Sequence, residues 1–366
     1  MPDGTAITPA IRNLGFKTAP HGTEVVFPAI AAAAACPSLI HLTFRSVEAF
    51  KAHIGLPQLA YGVAAIVLAL AVLGIPLLAL YGLIRLSNTA DARAPALRRI
   101  LLLTIPAIRL PLLGAAGGLL LGPTGAQIIN YGVFIALGAW ALWVVNSPGK
   151  KGEVETSDTQ SLELSPSGFA RVRATHRLSA IVLLLSFLLL HYSNHLFALW
   201  SETTERSVMM GLRHWYRASI IEPAILGLFS VMVITGVILV LRHTQRPSDN
   251  FRVIQMGSGI YLMFFLASHV WAVLGQRASG GDSDWAFASG GTAGMLGSEG
   301  YTDVLLYYTL GMVFISAHVA MGIRMMRLTH QTTKSNASRT AYMIIGLGSA
   351  VTVLTVAALL GLRFAH

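Results

Sequence analysis

The sequence predicts an all-α membrane protein of about eight transmembrane helices, a three-helix module followed by a five-helix bundle. Of its 366 residues, 54% are hydrophobic and only 11% charged, less than half the charged share of a soluble domain, so water is not the main solvent. At least eight stretches reach the length of about 20 apolar residues that a hydrocarbon core demands. Backbone polar groups must be satisfied inside lipid, and these stretches are too long and too uniformly apolar for barrel strands, so they read as helices.

Taken in order, residues 1 to 58 read as a partly ordered, amphipathic lead-in segment. The run Ala33-Ala34-Ala35-Cys36 has a faint likeness to a lipoprotein processing site, but Pro28 breaks its apolar stretch and no compact basic start precedes it. Cys36 is the single cysteine, which excludes an intramolecular disulfide and a thiolate cluster. Spans are then expected near 60 to 84, 100 to 121 and 126 to 146, which make the three-helix module at 59–146. In the second of these, Arg109 lies between Pro106 and Pro111 and marks a kinked or shallow helix whose guanidinium reaches water. A polar stretch at 147–173, with Pro148, Pro166 and several acidic residues, reads as a cytoplasmic linker. Five further spans near 178 to 200, 223 to 241, 254 to 275, 304 to 325 and 341 to 361 complete a domain at 174–366.

The formal charge of +10 does not point to nucleic acid, because the cations sit in short loops between spans. Arginines and lysines crowd the loops at 85–99, 147–177, 242–253 and 324–339, whereas 276–303 carries Arg277 against Asp282, Asp284, Glu299 and Asp303. Every second loop is basic, which places those loops in the cytoplasm of a bacterial inner membrane and both termini in the periplasm. The loop at 201–222 fits least well, since Arg206, Arg213 and Arg217 would lie outside, partly offset by Glu202, Glu205 and Glu222.

Chemistry concentrates in the second module. His191, His195, His269 and His318 lie within apolar helices, where a polar side chain is costly unless paired or functional. His191 and His195 are one turn apart on one helix face. His191 and His269 stand at nearly equal depth in parallel helices, the arrangement that two axial ligands of one haem require. His318 runs on an oppositely directed helix and lies nearer the inner surface. A weak internal repeat aligns His176-Arg177-Leu178-Ser179-Ala180, leading to His191, with Gln255-Met256-Gly257-Ser258-Gly259, leading to His269. The alternative role for such histidines is helix packing through backbone carbonyls and hydroxyls.

Two of these motifs resemble a known superfamily. His318-Val319-Ala320-Met321-Gly322-Ile323-Arg324-Met325-Met326 is similar to the haem-ligand helix of the cytochrome b membrane anchor of succinate dehydrogenase and fumarate reductase. His176-Arg177-Leu178-Ser179 resembles the motif that opens that family's first helix. The stretch from His191-Tyr192-Ser193-Asn194-His195 to Arg213 and Trp215, together with Ala267-Ser268-His269-Val270, is closer to the haem-type membrane domain that precedes some bacterial adenylyl cyclases. The resemblance covers roughly residues 171 to 363. It implies a cytochrome b-like bundle, with Arg177 and Ser179 in a quinone pocket to which the internal repeat adds Ser258. In the family a histidine of the second helix pairs with the counterpart of His318; here residues 223 to 241 have none, and Met232 is the nearest soft donor.

The expected function is therefore a membrane-bound b-type cytochrome that exchanges electrons between haem b and quinone. His191 or His195 with His269 would ligate one haem, and His318 a second if its site were complete. The sequence shows no flavin or iron–sulfur motif, so dehydrogenase chemistry would belong to a cytoplasmic partner subunit docked on the basic loops. The rival readings are a haem- or quinone-sensing regulatory domain without turnover and a haem-free small-molecule transporter. A transporter with inverted repeats would show copies of opposite orientation, but the repeat here keeps one orientation.

Overall fold

The computed structural model describes residues 23–89, 91–109, 131–147, 165–246, 248–290, 295 and 302–364. The chain is an all-α, multi-span membrane protein, with no strand among the described residues. Its helices are α1 (Val26–Ala52), α2 (Leu56–Ser87), α3 (Ala94–Thr104), α4 (Tyr131–Asn146), α5 (Pro166–Phe197), α6 (Glu202–Tyr216), α7 (Ile221–His243), α8 (Asn250–Ala278), α9 (Trp285–Ser289), α10 (Thr302–Thr329) and α11 (Lys334–Leu359). Seven of them, α1, α2, α5, α7, α8, α10 and α11, are long and apolar enough to cross a membrane.

The first third departs from expectation. Instead of an amphipathic lead-in, Val26–Ala52 is one 27-residue helix of spanning character that buries Val26, Ala29, Ile30, Ala33 and Cys36 on α2. Of the expected span at 100–121, the described part, to residue 109, is the end of the 11-residue α3 and a short turn, and the rest lies outside the described residues. Ile105 keeps helical dihedrals, but Pro106 has no N–H to donate back to Leu102 O, so α3 stops at Thr104 and a 3₁₀ turn follows at Ala107–Arg109. The Arg109 side chain and residues 110–130 lie outside the described residues, as does 148–164, most of the expected linker. The rest of that linker is already helical, because α5 starts at Pro166.

Helix starts follow local chemistry. Ser165 caps α5 by accepting from the Gly168 N–H at 3.1 Å, with Pro166 in the first turn where its missing N–H costs nothing. Ser201, Asp249 and Thr333 cap α6, α8 and α11 in the same way. Within α5, residues Leu184–Leu188 form a π turn. The turn absorbs about one residue, so His195 falls about five full turns from His176, whereas an unbroken α-helix would leave them about 100° apart. It thereby keeps His176, His191 and His195 on the side of α5 that faces the bundle.

The two expected modules share one core. Leu80 and Leu83 of α2, Leu97 and Leu101 of α3, Phe134 of α4, Tyr261 and Phe265 of α8 and Leu310 of α10 belong to a single buried cluster. Arg98 ties the halves together at their ends. Though charged, it is 3% exposed. Its Nε and Nη2 donate to Leu86 O at 3.1 and 2.8 Å, and Nη2 also to Ser87 O at 3.2 Å and Thr89 O at 2.8 Å. Its Nη1 donates to Thr244 O at 3.1 Å and Arg246 O at 3.2 Å. These carbonyls close α2 and follow α7, where helix ends leave acceptors unpaired and partially negative. A planar fork of five donors suits that task.

In the second module α5 packs along α7, and α8 along α10, which in turn carries α11. The α5–α7 pair meets the α8–α10 pair at few points. Two cavities occupy the gap, one toward each end of the bundle.

Candidate functional site

The outer cavity lies below α6, at the end of the bundle where α5 stops and α7 starts. Its cavity volume is about 190 Å³, and it opens outward. α5 contributes His191 and His195, and α8 contributes His269. The ring centres of His191 and His269 are 6.0 Å apart. His195 does not face His269 in the same way; its Nε2 shares a hydrogen bond with His191 Nε2 across 3.2 Å, and its ring lies against Trp285. Phe187 stacks on His191 at 5.1 Å, and Phe265 lies parallel to His269 at 5.8 Å. Behind them, the Ser268 and Tyr307 hydroxyls are in contact, and Tyr307 donates to Phe265 O at 2.6 Å.

Arg213, Arg217 and Arg277 line the rim. Arg277 pairs with Glu222, Arg213 Nη1 with Asp282 at 2.6 Å, and Arg217 Nη2 donates to Ser283 at 3.1 Å. Arg206 pairs with Asp284 at 2.6 Å. Of the arginines that fit the loop-charge pattern poorly, Arg206 and Arg213 thus meet acids of the neighbouring loop and Arg217 meets its Ser283. They latch α6 over the cavity and do not act as free topological charges.

Beside the histidines, Glu205 is 1% exposed. Asn194 donates to its Oε1 at 2.6 Å, and His195 Nδ1 is 3.8 Å away. Burial pushes the carboxyl up to about 7, against the Asn194 hydrogen bond and the Arg213 charge, which pull it down. The unfolded chain loses this proton near pH 4.5 while the folded chain keeps it to about pH 7. The contribution of Glu205 to stability is therefore intact below pH 4.5 and lost as pH rises to about 7. Glu205→Gln is expected to flatten that part of the stability–pH curve, measured by thermal unfolding in detergent between pH 5 and 8; an unchanged slope would refute it.

The inner cavity lies at the other end, between His176 of α5, Met232 to Val240 of α7, Gln255 to Leu266 of α8 and His318 of α10, with a volume of about 120 Å³. His176 and His318 face each other with ring centres 6.3 Å apart. His176 Nδ1 is 3.1 Å from Met232 O and 3.0 Å from Thr235 Oγ1. His318 Nδ1 is 3.1 Å from Gln255 O and 3.2 Å from Ser258 Oγ. Arg173, His243 and Arg252 stand toward its mouth, and Arg252 donates to Gln255 Oε1 at 2.7 Å.

None of the residues expected to form a quinone pocket lines either cavity. Ser258 is fully buried, donates to Ile254 O at 2.7 Å and sits beside His318. Ser179 is buried but lines neither cavity, and Arg177 is exposed. Arg177, next after His176, points about 100° away from it on the helix, whereas Ser179, three residues on, shares the inward side of α5 with His176. Sequence reasoning treated His176 as part of an opening motif and missed its place opposite His318. Met232, the candidate soft donor, offers His176 its backbone carbonyl. A usable signal was the i, i+3 pair Arg173 and His176, a cation and an imidazole on one helix face.

Comparison with protein-family models, curated proteins and solved structures finds no match for the chain.

Proposed function

We propose that this protein is a membrane-bound b-type cytochrome that exchanges electrons between haem b and a membrane quinone. The observation that carries the reading is the pair His191 and His269, presented by different helices with ring centres 6.0 Å apart inside an aromatic cavity. Two imidazoles that bind one iron from opposite sides, each at about 2 Å from the metal, have ring centres roughly 6 Å apart. The donor set also suits a macrocycle better than a bare ion. Among the described residues no group of three or more His, Cys, Asp or Glu could hold a metal ion, whereas a haem brings four ring nitrogens and needs two.

His191 and His269 would bind the haem, His191 Nε2 giving up its hydrogen bond to His195 for the iron, and Phe187 and Phe265 would fix the two rings and exclude water. Arg213, Arg217 and Arg277 would meet acidic substituents at the rim. When bound, haem supplies one-electron chemistry at a potential set by its burial and axial ligands. Quinone, a lipid-soluble carrier, would approach through the gap between the α5–α7 and α8–α10 pairs.

The basic loops of a bacterial inner-membrane protein would face the cytoplasm and offer a docking face for a flavin, iron–sulfur or signalling partner subunit. With α1 as an added span, the start of the described chain would lie on the cytoplasmic side and its end on the periplasmic side.

The test is a reduced-minus-oxidised visible spectrum with haem quantitation, on full-length protein expressed with ample haem. At least one six-coordinate b-type haem per chain, reducible by added quinol, is the expected result. A colourless preparation would overturn the reading in favour of a transporter. A haem that quinol reduces once without sustained flux to an acceptor would favour a sensor.

A further inference from the structure

We infer that His176 and His318 form a second bis-histidine haem site, in the inner cavity. This rests on the cytochrome reading above and deepens it. The site uses a histidine from the first helix of the five-helix bundle, not from the second, so the lack of a histidine in 223–241 does not leave His318 without a partner.

Three observations support the assignment independently. The first is spacing. Ring centres 6.3 Å apart match two ligands on one iron and are too far for the imidazoles to bond to each other. The second is the orientation of the rings. Met232 O and Gln255 O can only accept, so each Nδ1 is the N–H nitrogen and each Nε2 carries the lone pair. Fixing one ring nitrogen on a backbone carbonyl is how proteins set the tautomer and angle of a ligating histidine. The third is the space beside the rings. A β-carbon at Gly236 would sit 3.4 Å from His176 Cε1, and one at Gly259 would sit 3.1 Å from His318 Cε1. Glycine at both positions lets α7 and α8 approach the imidazoles while leaving the cavity between them open.

Helix packing alone would explain the hydrogen bonds of either histidine taken singly. It does not explain two imidazoles that each hold a carbonyl through Nδ1 and face one another across a cavity lined by Met232, Val233 and Met263. Two imidazoles are too few for a bare ion, which takes three or four protein ligands. His176 and His191 are 15 residues apart on α5, about 22 Å along the helix. The two sites therefore stand one above the other across most of a hydrocarbon core about 30 Å thick.

The experiment is haem quantitation and a potentiometric titration of the visible spectrum, on the wild type and on His176→Ala, His318→Ala and the double variant. The expected result is two haems per chain in the wild type, and loss of the same single component in all three variants. The outer haem remains in each and reports that the fold is intact. A glycine in place of His318, supplied with free imidazole, should regain the inner component, which a purely structural histidine would not. One haem in the wild type, kept in full by the His176 and His318 variants, would overturn this inference and leave the cytochrome reading standing. No haem at all would overturn both.

Discussion

His269→Ala is expected to empty the outer cavity of haem, lowering the content by one equivalent per chain while the inner component keeps its spectrum and midpoint. His269 is the single imidazole that α8 brings to this cavity, so its removal leaves no residue of that helix to take its place. α5, in contrast, offers two imidazoles within hydrogen-bond reach of each other, 3.2 Å between their Nε2 atoms. His195→Ala should therefore leave the outer haem bound, because the His191 Nε2 that it bonds is the nitrogen that would ligate the iron. His191→Ala should be intermediate if His195 can turn to take over. Haem titration of the three apoproteins measures the order, and retention of full haem content by His269→Ala would refute the assignment of the outer site.

Replacing Arg98 by leucine should be the most damaging single change outside the cavities. It would remove the Arg98 hydrogen bonds to five backbone carbonyls where α2 ends and α7 gives way to the next loop, although Leu86 O keeps the Thr89 N–H, Ser87 O the Ser248 N–H and Arg246 O the Ser248 hydroxyl. Leaving buried acceptors unpaired costs about 1–3 kcal/mol each before relaxation, and water reaching the site would recover part of that. A net loss of roughly 3–5 kcal/mol is expected, seen as a lower unfolding temperature in detergent. Arg98→Lys should recover only part, since a single ammonium cannot reach carbonyls on both sides of the junction. A nearly unchanged melting temperature for Arg98→Leu would show that the second module holds itself together without this contact.

Much of the architecture was legible because lipid imposes simple length and polarity rules. All five later spans were marked, and those at Ile221–His243, Asn250–Ala278 and Thr302–Thr329 within about four residues, whereas α5 and α11 start twelve and seven residues earlier than expected, at the polar caps Ser165 and Thr333. α1 was misread because Pro28, Pro37, His41 and Arg45 interrupt its apolar run, yet Pro28 falls in the first turn and the Ala-rich stretch packs closely on α2. The run at 100–121 erred the other way, because apolar length counted for more than the break that Pro106 imposes.

For the candidate sites, the sequence determined which residue types lie in the membrane and at what depth. That was enough to match His191 with His269, because equal depth on parallel helices follows from residue counting. It could not match His176 with His318, which depends on how α5 leans on α7 and how α10 crosses beside α8. Nor does any residue pattern announce the π turn at Leu184–Leu188, which rotates His195 back toward the bundle. Arg98 likewise reads as one more loop cation until two distant helix ends are seen to converge on it. Helix existence is set by local chemistry along the chain, whereas facing pairs and shared carbonyls are set by side-chain packing between elements far apart in it, and that information appears only once the bundle is assembled.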